Sequence, residues 1–297
     1  MSFDLQNYLR DRKELIDRGL DRYLPRESRH PEIIHKAVRH SVFAGGKRLR
    51  PVLLLAGYEL FQDDYKRALG FACAVEMLHT YSLIHDDLPA MDNDDFRRGV
   101  ASSHKLFGEA IAILAGDALQ AEAFGLMARS GLESGFSPKT VLDAISDLAD
   151  AAGMKGMVSG QALDMETQGK SYSEKELEFI HLHKTGALIR ASIVTGARLA
   201  GGDEKALAAL SGFGLKIGLA FQVADDVLDV KGGESLGKPA GSDQKKKKAT
   251  YVELFGLNRA KGLAGSLISE SLELIRDFGT RGEPLRLLAR FMVERVN

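Results

Sequence analysis

Apolar side chains recur every three or four residues along most of the chain, which is the spacing expected of helices that bury one face. The pattern is clear at residues 67–85, where it includes Leu69, Cys73 and Leu78. Similar stripes run through residues 5–24, 33–44, 109–128, 140–152, 177–199, 207–230 and 263–278. No segment shows sustained alternation with β-branched residues, so we predict an all-α fold without strands.

Helix-start signals agree with this pattern. Ser137 before Pro138 is typical of an N-cap and first helical position, and Ser173 with Glu176 has the spacing of a capping box. Three stretches look irregular and rich in charge, namely residues 45–51, 87–104 and 231–250. Each adjoins a predicted helix end, where functional residues often lie. With no long linker or repeat, we predict a single helical domain over residues 1–297.

Composition narrows the class of protein. The 297 residues are 44% hydrophobic and 27% charged with a net charge of -1, which does not indicate nucleic acid or an acidic membrane as partner. Cys73 is the only cysteine, so an intrachain disulfide and a multi-thiolate metal site are excluded. No apolar run approaches the length of a membrane span, and no signal peptide is recognisable. We therefore expect a cytoplasmic protein.

Two clusters of aspartate follow or interrupt apolar helices. The first holds Asp86, Asp87 and Asp92, and the second holds Asp225, Asp226 and Asp229. Two carboxylates one helical turn apart repel by about 3 kcal/mol at an effective dielectric near 20. A hard divalent cation removes this cost, and carboxylate oxygens suit Mg²⁺. The alternative is that these acids cap helices or lie on a solvated face.

Basic residues accompany both acidic clusters. Lys47, Arg48 and Arg50 follow two glycines, while Arg97 and Arg98 follow the first cluster. Lys184 interrupts an apolar helix, and Lys238 and Lys248 lie after the second cluster. Acids beside bases indicate a ligand whose anionic groups contact metal and guanidinium alike, and phosphate is the leading candidate. Any one of these basic residues alone would be an ordinary surface residue.

At these residues the sequence resembles short-chain trans-prenyltransferases, most closely the bacterial type of farnesyl diphosphate synthase. The resemblance spans nearly the whole chain. Its motifs are GGKRLRP (45–51), DDLPAMD (86–92), RRG (97–99), GD (116–117), GQALD (160–164), HKTGALIR (183–190), FQVADDVLD (221–229) and TY (250–251). The resemblance implies an isoprenoid-synthase helical bundle around a deep central cavity, usually working as a homodimer.

The resemblance also implies a role for each motif residue. Asp86, Asp92 and Asp225 would hold three Mg²⁺ on the diphosphate of an allylic substrate, supported by Asp87, Asp226 and Asp229. The same diphosphate would contact Arg97, Lys184 and Lys238. Isopentenyl diphosphate would bind without metal to Lys47, Arg50, His79 and Arg98, and Lys248 is a further substrate-binding candidate. The residues placed near the reacting carbon would be Lys184, Thr185 and Gln222.

Product length is implied by the residue five positions before Asp86. Tyr81 would lie about 7.5 Å deeper along a straight helix. In the family, an aromatic there narrows the pocket floor and, with the insertion Pro89-Ala90, favours a C15 product. Ordinary core packing of Tyr81 and a C10 or C20 product remain alternatives. Pro239 and the lysines at 245–248 depart from the family pattern, which puts the roles of Lys238 and Lys248 in doubt.

Three other functions fit parts of the sequence. Glu-x-x-His is the motif of di-iron carboxylate bundles, and it occurs at Glu32/His35, Glu76/His79 and Glu178/His181. That assignment leaves both aspartate clusters unexplained. A non-catalytic prenyltransferase subunit would be expected to lack one cluster. A terpene cyclase would need only one substrate site, so the basic set at Lys47, Arg50 and Arg98 argues against it.

Overall fold

The computed structural model describes residues 3–231 and 249–293. Over those residues the fold is almost entirely helical, which confirms the predicted all-α class. The helices are α1 (Leu5–Tyr23), α2 (Glu32–Val42), α3 (Leu49–Glu59), α4 (Leu69–Asp86), α5 (Ser103–Phe107), α6 (Glu109–Glu133), α7 (Pro138–Ala152), α8 (Met157–Thr167), α9 (Glu174–His181), α10 (Ala187–Leu199), α11 (Glu204–Lys231), α12 (Tyr251–Phe255), α13 (Leu257–Leu274) and α14 (Glu283–Val293). Short 3₁₀ turns occupy Tyr65–Ala68 and Arg276–Gly282, and a π-helical turn occupies Leu182–Gly186.

The helix-start signals are confirmed. Ser173 and Glu176 form a capping box at α9, because the Ser173 hydroxyl accepts from the Glu176 N–H while the Glu176 carboxylate accepts from the Ser173 N–H. The Ser137 hydroxyl accepts from the Thr140 N–H at 3.1 Å, and α7 begins at Pro138. Helix α3 was not predicted because Val52–Ala56 is buried without interruption, which leaves no polar face to mark a period.

The prediction of a structure without strands was wrong at one point. Phe96–Arg97 (β1) and Val100–Ala101 (β2) pair antiparallel. The loop between them is Arg98 and Gly99, with φ of 53° and 81°, which is the backbone of a tight two-residue hairpin. Strands of two residues are too short for alternation to be visible in the sequence. The hairpin matters because it separates the adjacent side chains of Arg97 and Arg98.

The described residues form two compact units. The first unit comprises residues 6–55 and 64–145, and the second comprises residues 3–5, 56–63, 146–231 and 249–293. In the first unit, the apolar helix α4 packs mainly against α6. In the second, α11 packs against α10 and α13. The first unit contains the first aspartate cluster, and the second unit contains the second cluster. That residues 1–297 form a single domain stays a prediction.

Two helices are long and apolar enough to cross a membrane by length and composition. They are Glu109–Glu133, with a mean hydropathy of 1.4, and Glu204–Val230, with a mean hydropathy of 1.5. The core helices of soluble proteins meet the same two criteria. The most apolar stretch of Glu204–Val230 is 50% buried in this fold, and that of Glu109–Glu133 is 39% buried. These helices therefore carry little weight as an indication of a membrane protein.

Candidate functional site

The first aspartate cluster lies at the C-terminal end of α4, in a loop that turns back on itself. The Asp92 N–H donates to the carbonyl oxygen of Asp86 at 2.8 Å, and the Asn93 N–H donates to that of Leu88 at 3.1 Å. Asn93 has a φ of 52°, a left-handed conformation that asparagine tolerates better than most residues. The turn therefore brings Asp86 and Asp92, six positions apart in sequence, into contact through their main chains.

Asp87 is oriented differently from its neighbour Asp86. Its side chain is buried, and Oδ1 accepts a hydrogen bond from Arg97 Nε at 2.8 Å and a second from the same guanidinium. Arg97 also donates to Asp94 at 3.2 Å. The predicted supporting carboxylate Asp87 thus holds one of the predicted phosphate-binding arginines. Asp87 of the DDLPAMD motif and Arg97 of the RRG motif therefore form one ion pair in the structure.

A basic cluster lies in the same unit, formed by Arg50, His79 and Arg98 with the exposed Lys47 nearby in sequence. Arg50 Nη1 is 3.3 Å from His79 Nε2, and Arg98 Nη1 donates to the Gly45 carbonyl at 2.6 Å. A Cβ at Gly46 would lie 2.8 Å from Arg98 Cζ, and Gly46 has a φ of 123°. Gly46 therefore leaves the room that the Arg98 side chain occupies beside the loop.

The pKa values in this cluster indicate an excess of positive charge. Burial lowers the pKa of His79 well below its usual value of 6.5, and the charges of Arg50 and Arg98 lower it further. The pKa of Arg98 is also lowered, by burial first and then by Arg48 and Arg97, with Glu76 acting in the opposite direction. His79 is therefore neutral at neutral pH. A bound anion would relieve both unfavourable effects.

Arg48 belongs to the framework rather than to the basic cluster. Its side chain is buried and bonds Glu76 at 2.6 Å, Asp17 at 2.9 Å and the Val42 carbonyl at 2.6 Å. Glu76 also lies 3.7 Å from Arg98. The glutamate of this Glu-x-x-His motif is therefore neutralised by arginine. Within residues 3–231 and 249–293, no group of three or more His, Cys, Asp or Glu side chains is placed to hold a metal by itself.

In the second unit, the π-helical turn presents Lys184 and Thr185 side by side. Lys184 Nζ lies 2.7 Å from Asp164 Oδ2, and Thr185 Oγ1 donates to Gln222 Oε1 at 3.0 Å. A Cβ at Gly160 would lie 2.2 Å from the Lys184 nitrogen, so α8 can approach the turn only through a glycine. π-Turns of this kind are frequent at functional sites. The structure thus brings Thr185 and Gln222 together, while their place near the reacting carbon stays a prediction.

The second aspartate cluster lies near the end of α11. Asp225 is partly exposed, whereas Asp226 and Asp229 are buried. Asp225 and Asp229 are one turn apart on one face of the helix. Asp226 Oδ2 instead accepts from the Tyr251 N–H at 2.8 Å and lies 3.6 Å from His181 Nε2. As in the first cluster, the two adjacent aspartates have different surroundings.

Tyr81 lies on α4, where α6 holds it in place. The residue is 5% exposed, its hydroxyl bonds the side chain of Gln120, and its ring meets the edge of the His85 ring at 5.9 Å. His85 in turn contacts the Ile113 carbonyl at 3.1 Å and occupies the space left by Gly116, where a Cβ would lie 2.1 Å from its Nε2. The Gly116-Asp117 motif therefore makes room for His85.

Some predicted residues lie outside the described part of the chain, and some partners were not predicted. Lys238, Pro239 and the lysines at 245–248, including Lys248, lie outside the described residues. Sequence reasoning missed Asp164, His181 and Tyr251 as site partners, and Gln120 as the partner of Tyr81. Asp164 could have been found as an acid within the GQALD motif, on a largely apolar segment. Tyr251 lies in the TY motif and His181 in a Glu-x-x-His motif, but neither motif identifies a partner, because the partners of these two residues and of Gln120 lie far away in sequence.

Comparison with known proteins supports the resemblance. A family model described as Polyprenyl synthetase matches residues 31–280. The chain is 45% identical over 301 residues to the large subunit 1 of the heterodimeric geranylgeranyl pyrophosphate synthase of Arabidopsis thaliana, covering 100% of this chain and 81% of that protein. It is 44% identical over 292 residues to farnesyl diphosphate synthase of Geobacillus stearothermophilus, covering 98% of each.

A solved structure with a similar fold is geranylgeranyl pyrophosphate synthetase from Pyrococcus horikoshii Ot3. It superposes with a TM-score of 0.88 at 33% identity, covering 98% of both chains. The family match covers well over half of the chain, and its range includes both aspartate clusters and the basic cluster. The chain therefore belongs to the polyprenyl synthetase family.

Proposed function

We propose that this trans-prenyltransferase condenses isopentenyl diphosphate with dimethylallyl or geranyl diphosphate, releases diphosphate and gives farnesyl diphosphate as its product. The observation that carries the proposal is the presence of two chemically different sets of anion-binding residues. One is the cluster of Arg50, His79 and Arg98, and the other is the pair of aspartate clusters. Two sets fit two diphosphate substrates, whereas a cyclase needs one.

The basic cluster is assigned to isopentenyl diphosphate. Arg50 and Arg98 offer fixed cationic N–H groups, which match phosphate oxygens in pairs. The neutral His79 can donate or accept without adding charge, and Lys47 is exposed and close in sequence. The positive field that lowers the pKa of His79 also attracts a ligand of about two to three negative charges. No metal is required in this assignment.

Asp86, Asp92, Asp225 and Asp229 of the aspartate clusters are assigned to Mg²⁺, since the family uses divalent metal. Mg²⁺ is usually held by one or two carboxylates, with water and substrate phosphate oxygens completing its six ligands. Pairs such as Asp86 with Asp92, or Asp225 with Asp229, fit that requirement without a third protein ligand. We propose three ions on one allylic diphosphate. When bound, they neutralise the charge that develops on the departing diphosphate.

The π-turn and α11 supply groups for the reacting carbon. The reaction breaks the allylic C–O bond and joins that carbon to the double bond of isopentenyl diphosphate. A proton then leaves the new chain for the released diphosphate. The hydroxyl of Thr185 and the amide of Gln222, bonded to each other at 3.0 Å, offer oxygen dipoles to the transient positive charge. Lys184, steadied by Asp164, and Arg97, steadied by Asp87, would bind the departing diphosphate, as would Lys238.

A C15 product is supported by the bulk and fixation of Tyr81. Relatives of similar identity are named for farnesyl and for geranylgeranyl products, so the name of a relative does not decide the length. The Tyr81 ring, which Gln120 and His85 hold in place, is suited to form the floor of the proposed substrate pocket. Tyr81→Ala should shift the main product from C15 to C20 or longer, as read by mass spectrometry. Tyr81→Phe, which keeps the ring, is the matched control; an unshifted Tyr81→Ala spectrum would remove Tyr81 from the pocket floor.

A homodimer is supported by the surface of α6. Ile113 and Leu114 are 43% and 53% exposed, and Ala110 and Ala121 on the same side are exposed too. Exposed apolar residues on one side of a helix, here beside the exposed Asp117, are typical of a protein interface. Ile113→Glu should therefore convert the protein to monomers in light scattering. A cytoplasmic location and the lack of a membrane span remain part of the proposal.

The proposed activity is tested by product analysis with geranyl diphosphate, labelled isopentenyl diphosphate and Mg²⁺. We expect label in a C15 diphosphate, with one released diphosphate for each condensation. Lack of incorporation by the purified chain would contradict the proposal. It would instead support a non-catalytic subunit, and adding a catalytic relative would then restore incorporation.

A further inference from the structure

Asp226 lies next to Asp225 but does not share its surroundings. Successive residues on an α-helix project about 100° apart, so a carboxylate beside the Asp225–Asp229 face need not belong to it. Asp226 is 4% exposed, and its Oδ2 accepts the Tyr251 main-chain N–H at 2.8 Å. The same oxygen lies 3.6 Å from His181 Nε2. Asp226 is thus engaged on the interior side of α11.

Tyr251 is fixed from two further directions. Its ring is 2% exposed and stacks on the His181 ring, with centroids 5.4 Å apart and an interplanar angle of 25°. Next to it, the Thr250 N–H donates to the Tyr172 hydroxyl oxygen at 3.0 Å, while that hydroxyl donates to Glu253 at 2.6 Å. The start of α12 is therefore fastened by both its main chain and its side chains.

The network joins the elements that carry the second unit's candidate site residues. His181 is the last residue of α9, and the π-turn with Lys184 and Thr185 follows at once. Asp226 lies between Asp225 and Asp229 on α11. A shift of α12 away from Asp226 would remove the support of the His181 ring, and with it the start of the π-turn. The contacts thus link metal-binding and substrate-binding residues mechanically.

We infer that Asp226 is a positioning residue for the reaction rather than a Mg²⁺ ligand, an inference that rests on the proposed function for the roles of Asp225 and Lys184. Asp226 accepts a hydrogen bond from the Tyr251 N–H and thereby aligns α9, α11 and α12. The donor is a neutral main-chain amide, so the position requires an oxygen acceptor and not a negative charge. A carboxylate that binds Mg²⁺ acts in its charged form, so replacing it with a neutral amide should weaken the metal site.

Three variants test whether position 226 requires an oxygen acceptor or a negative charge. Asp226→Asn keeps a carbonyl oxygen, Asp226→Ala removes it, and Asp225→Asn removes a charge from the proposed metal site. We expect Asp226→Asn to keep near-normal turnover. Asp226→Ala should lower kcat/KM for the allylic diphosphate about 10–100-fold, the usual effect of losing a group that orients a ligand. Raising Mg²⁺ should not restore it, and KM for isopentenyl diphosphate should stay unchanged.

Three further variants separate positioning from general loss of structure. Asp203 accepts the Ala206 N–H at 2.8 Å at the other end of α11, so Asp203→Ala removes a comparable main-chain acceptor far along the helix. It should lower the melting temperature without changing either KM. If Asp226→Ala does not fold, His181→Phe and His181→Ala take its place. Phenylalanine preserves the stack on Tyr251, so His181→Phe should retain more of the allylic kcat/KM than His181→Ala.

The outcomes distinguish this inference from the proposed function. If Asp226→Asn is as inactive as Asp225→Asn and regains activity with added Mg²⁺, Asp226 is a ligand and the inference is overturned. If Asp225→Asn is inactive while Asp226→Ala is unaffected, the inference alone fails. If Asp225→Asn itself keeps full activity, the assigned metal site is wrong, whatever Asp226 does. Equal losses in His181→Phe and His181→Ala would remove the ring stack from the account.

Discussion

The two Asp-Asp pairs, Asp86-Asp87 in the first unit and Asp225-Asp226 in the second, show the same difference between their two members. In each pair the first aspartate is partly exposed and the second is buried with an internal partner. The partners differ, since Asp87 binds the Arg97 guanidinium and Asp226 binds the Tyr251 main-chain N–H. Adjacent acids of one cluster therefore have different surroundings, and we propose that they have different roles.

The difference between the partners has an energetic consequence. Asp87 and Arg97 form a largely buried ion pair, with side chains 4% and 20% exposed. Breaking such a pair by removing one charge costs about 3–5 kcal/mol, because the other charge stays buried. Asp226 meets a neutral donor, so its charge contributes much less. The first pair should therefore be sensitive to loss of charge at its second aspartate, whereas the second pair should not.

The largest effect is expected at the first aspartate of each pair. Asp86→Asn and Asp225→Asn should each lower kcat on the order of 10³-fold, because several kcal/mol of charge neutralisation at the leaving group depend on bound metal. Steady-state kinetics at saturating Mg²⁺ measures this, and far-ultraviolet circular dichroism confirms folding. A variant that keeps near-normal kcat would take that residue out of the metal set.

A smaller but still large effect is expected for Asp87→Asn. The substitution removes charge from the pair with Arg97 and should lower the free energy of unfolding by about 3 kcal/mol, which is several degrees in melting temperature. Asp226→Asn is the natural control and should be far less destabilising. Equal melting temperatures for the two variants would show that the buried aspartates are equivalent and would break the comparison.

The basic cluster has no counterpart among the described residues of the second unit. Substitution of Arg98 tests whether this cluster serves only one of the two substrates. Arg98→Ala should raise KM for isopentenyl diphosphate about 10–100-fold, the value of one or two charge-assisted hydrogen bonds, with KM for the allylic substrate unchanged. Arg22→Ala, at a surface position on α1, is a suitable control. Were both KM values to rise together, Arg98 would serve the site as a whole.

The smallest effect concerns pH and His79. Its pKa is lowered in the folded protein, so below about pH 6.5 the unfolded chain binds an extra proton and stability falls as pH falls. The slope contributed by this group is at most about 1.4 kcal/mol per pH unit. Melting curves between pH 7.5 and 5.5 should be flatter for His79→Gln than for the exposed control His30→Gln. Parallel curves for the wild type and His79→Gln would contradict the assigned burial.

Much of this structure is predictable from the sequence, and the exceptions have physical causes. Helices with a polar face, such as α1, and the capping box at Ser173 are visible because their signals are local. Helix α3 has an uninterrupted buried run at Val52–Ala56, and the π-turn after α9 depends on close approach by Gly160, so neither leaves a periodic mark.

The site divides in the same way. Residue types and spacing predict Asp86, Asp92, Asp225 and Asp229 as metal candidates and Arg98 as a phosphate contact. They do not reveal that Asp87 faces Arg97, that Asp164 faces Lys184, or that Asp226 faces Tyr251. Those pairings join positions separated by 10, 20 and 25 residues, and they exist only after helices pack. The sequence identifies the candidate residue types, and tertiary contacts decide which partner each of two neighbouring residues has.

The most direct measurement is a crystal structure of the protein with Mg²⁺ and a non-reactive allylic diphosphate analogue. We expect magnesium–oxygen distances of about 2.1 Å to Asp86, Asp92 and Asp225, with Asp87 still bonded to Arg97 and Asp226 still accepting the Tyr251 N–H. Magnesium bound directly by Asp87 or Asp226, with those internal bonds broken, would contradict this expectation.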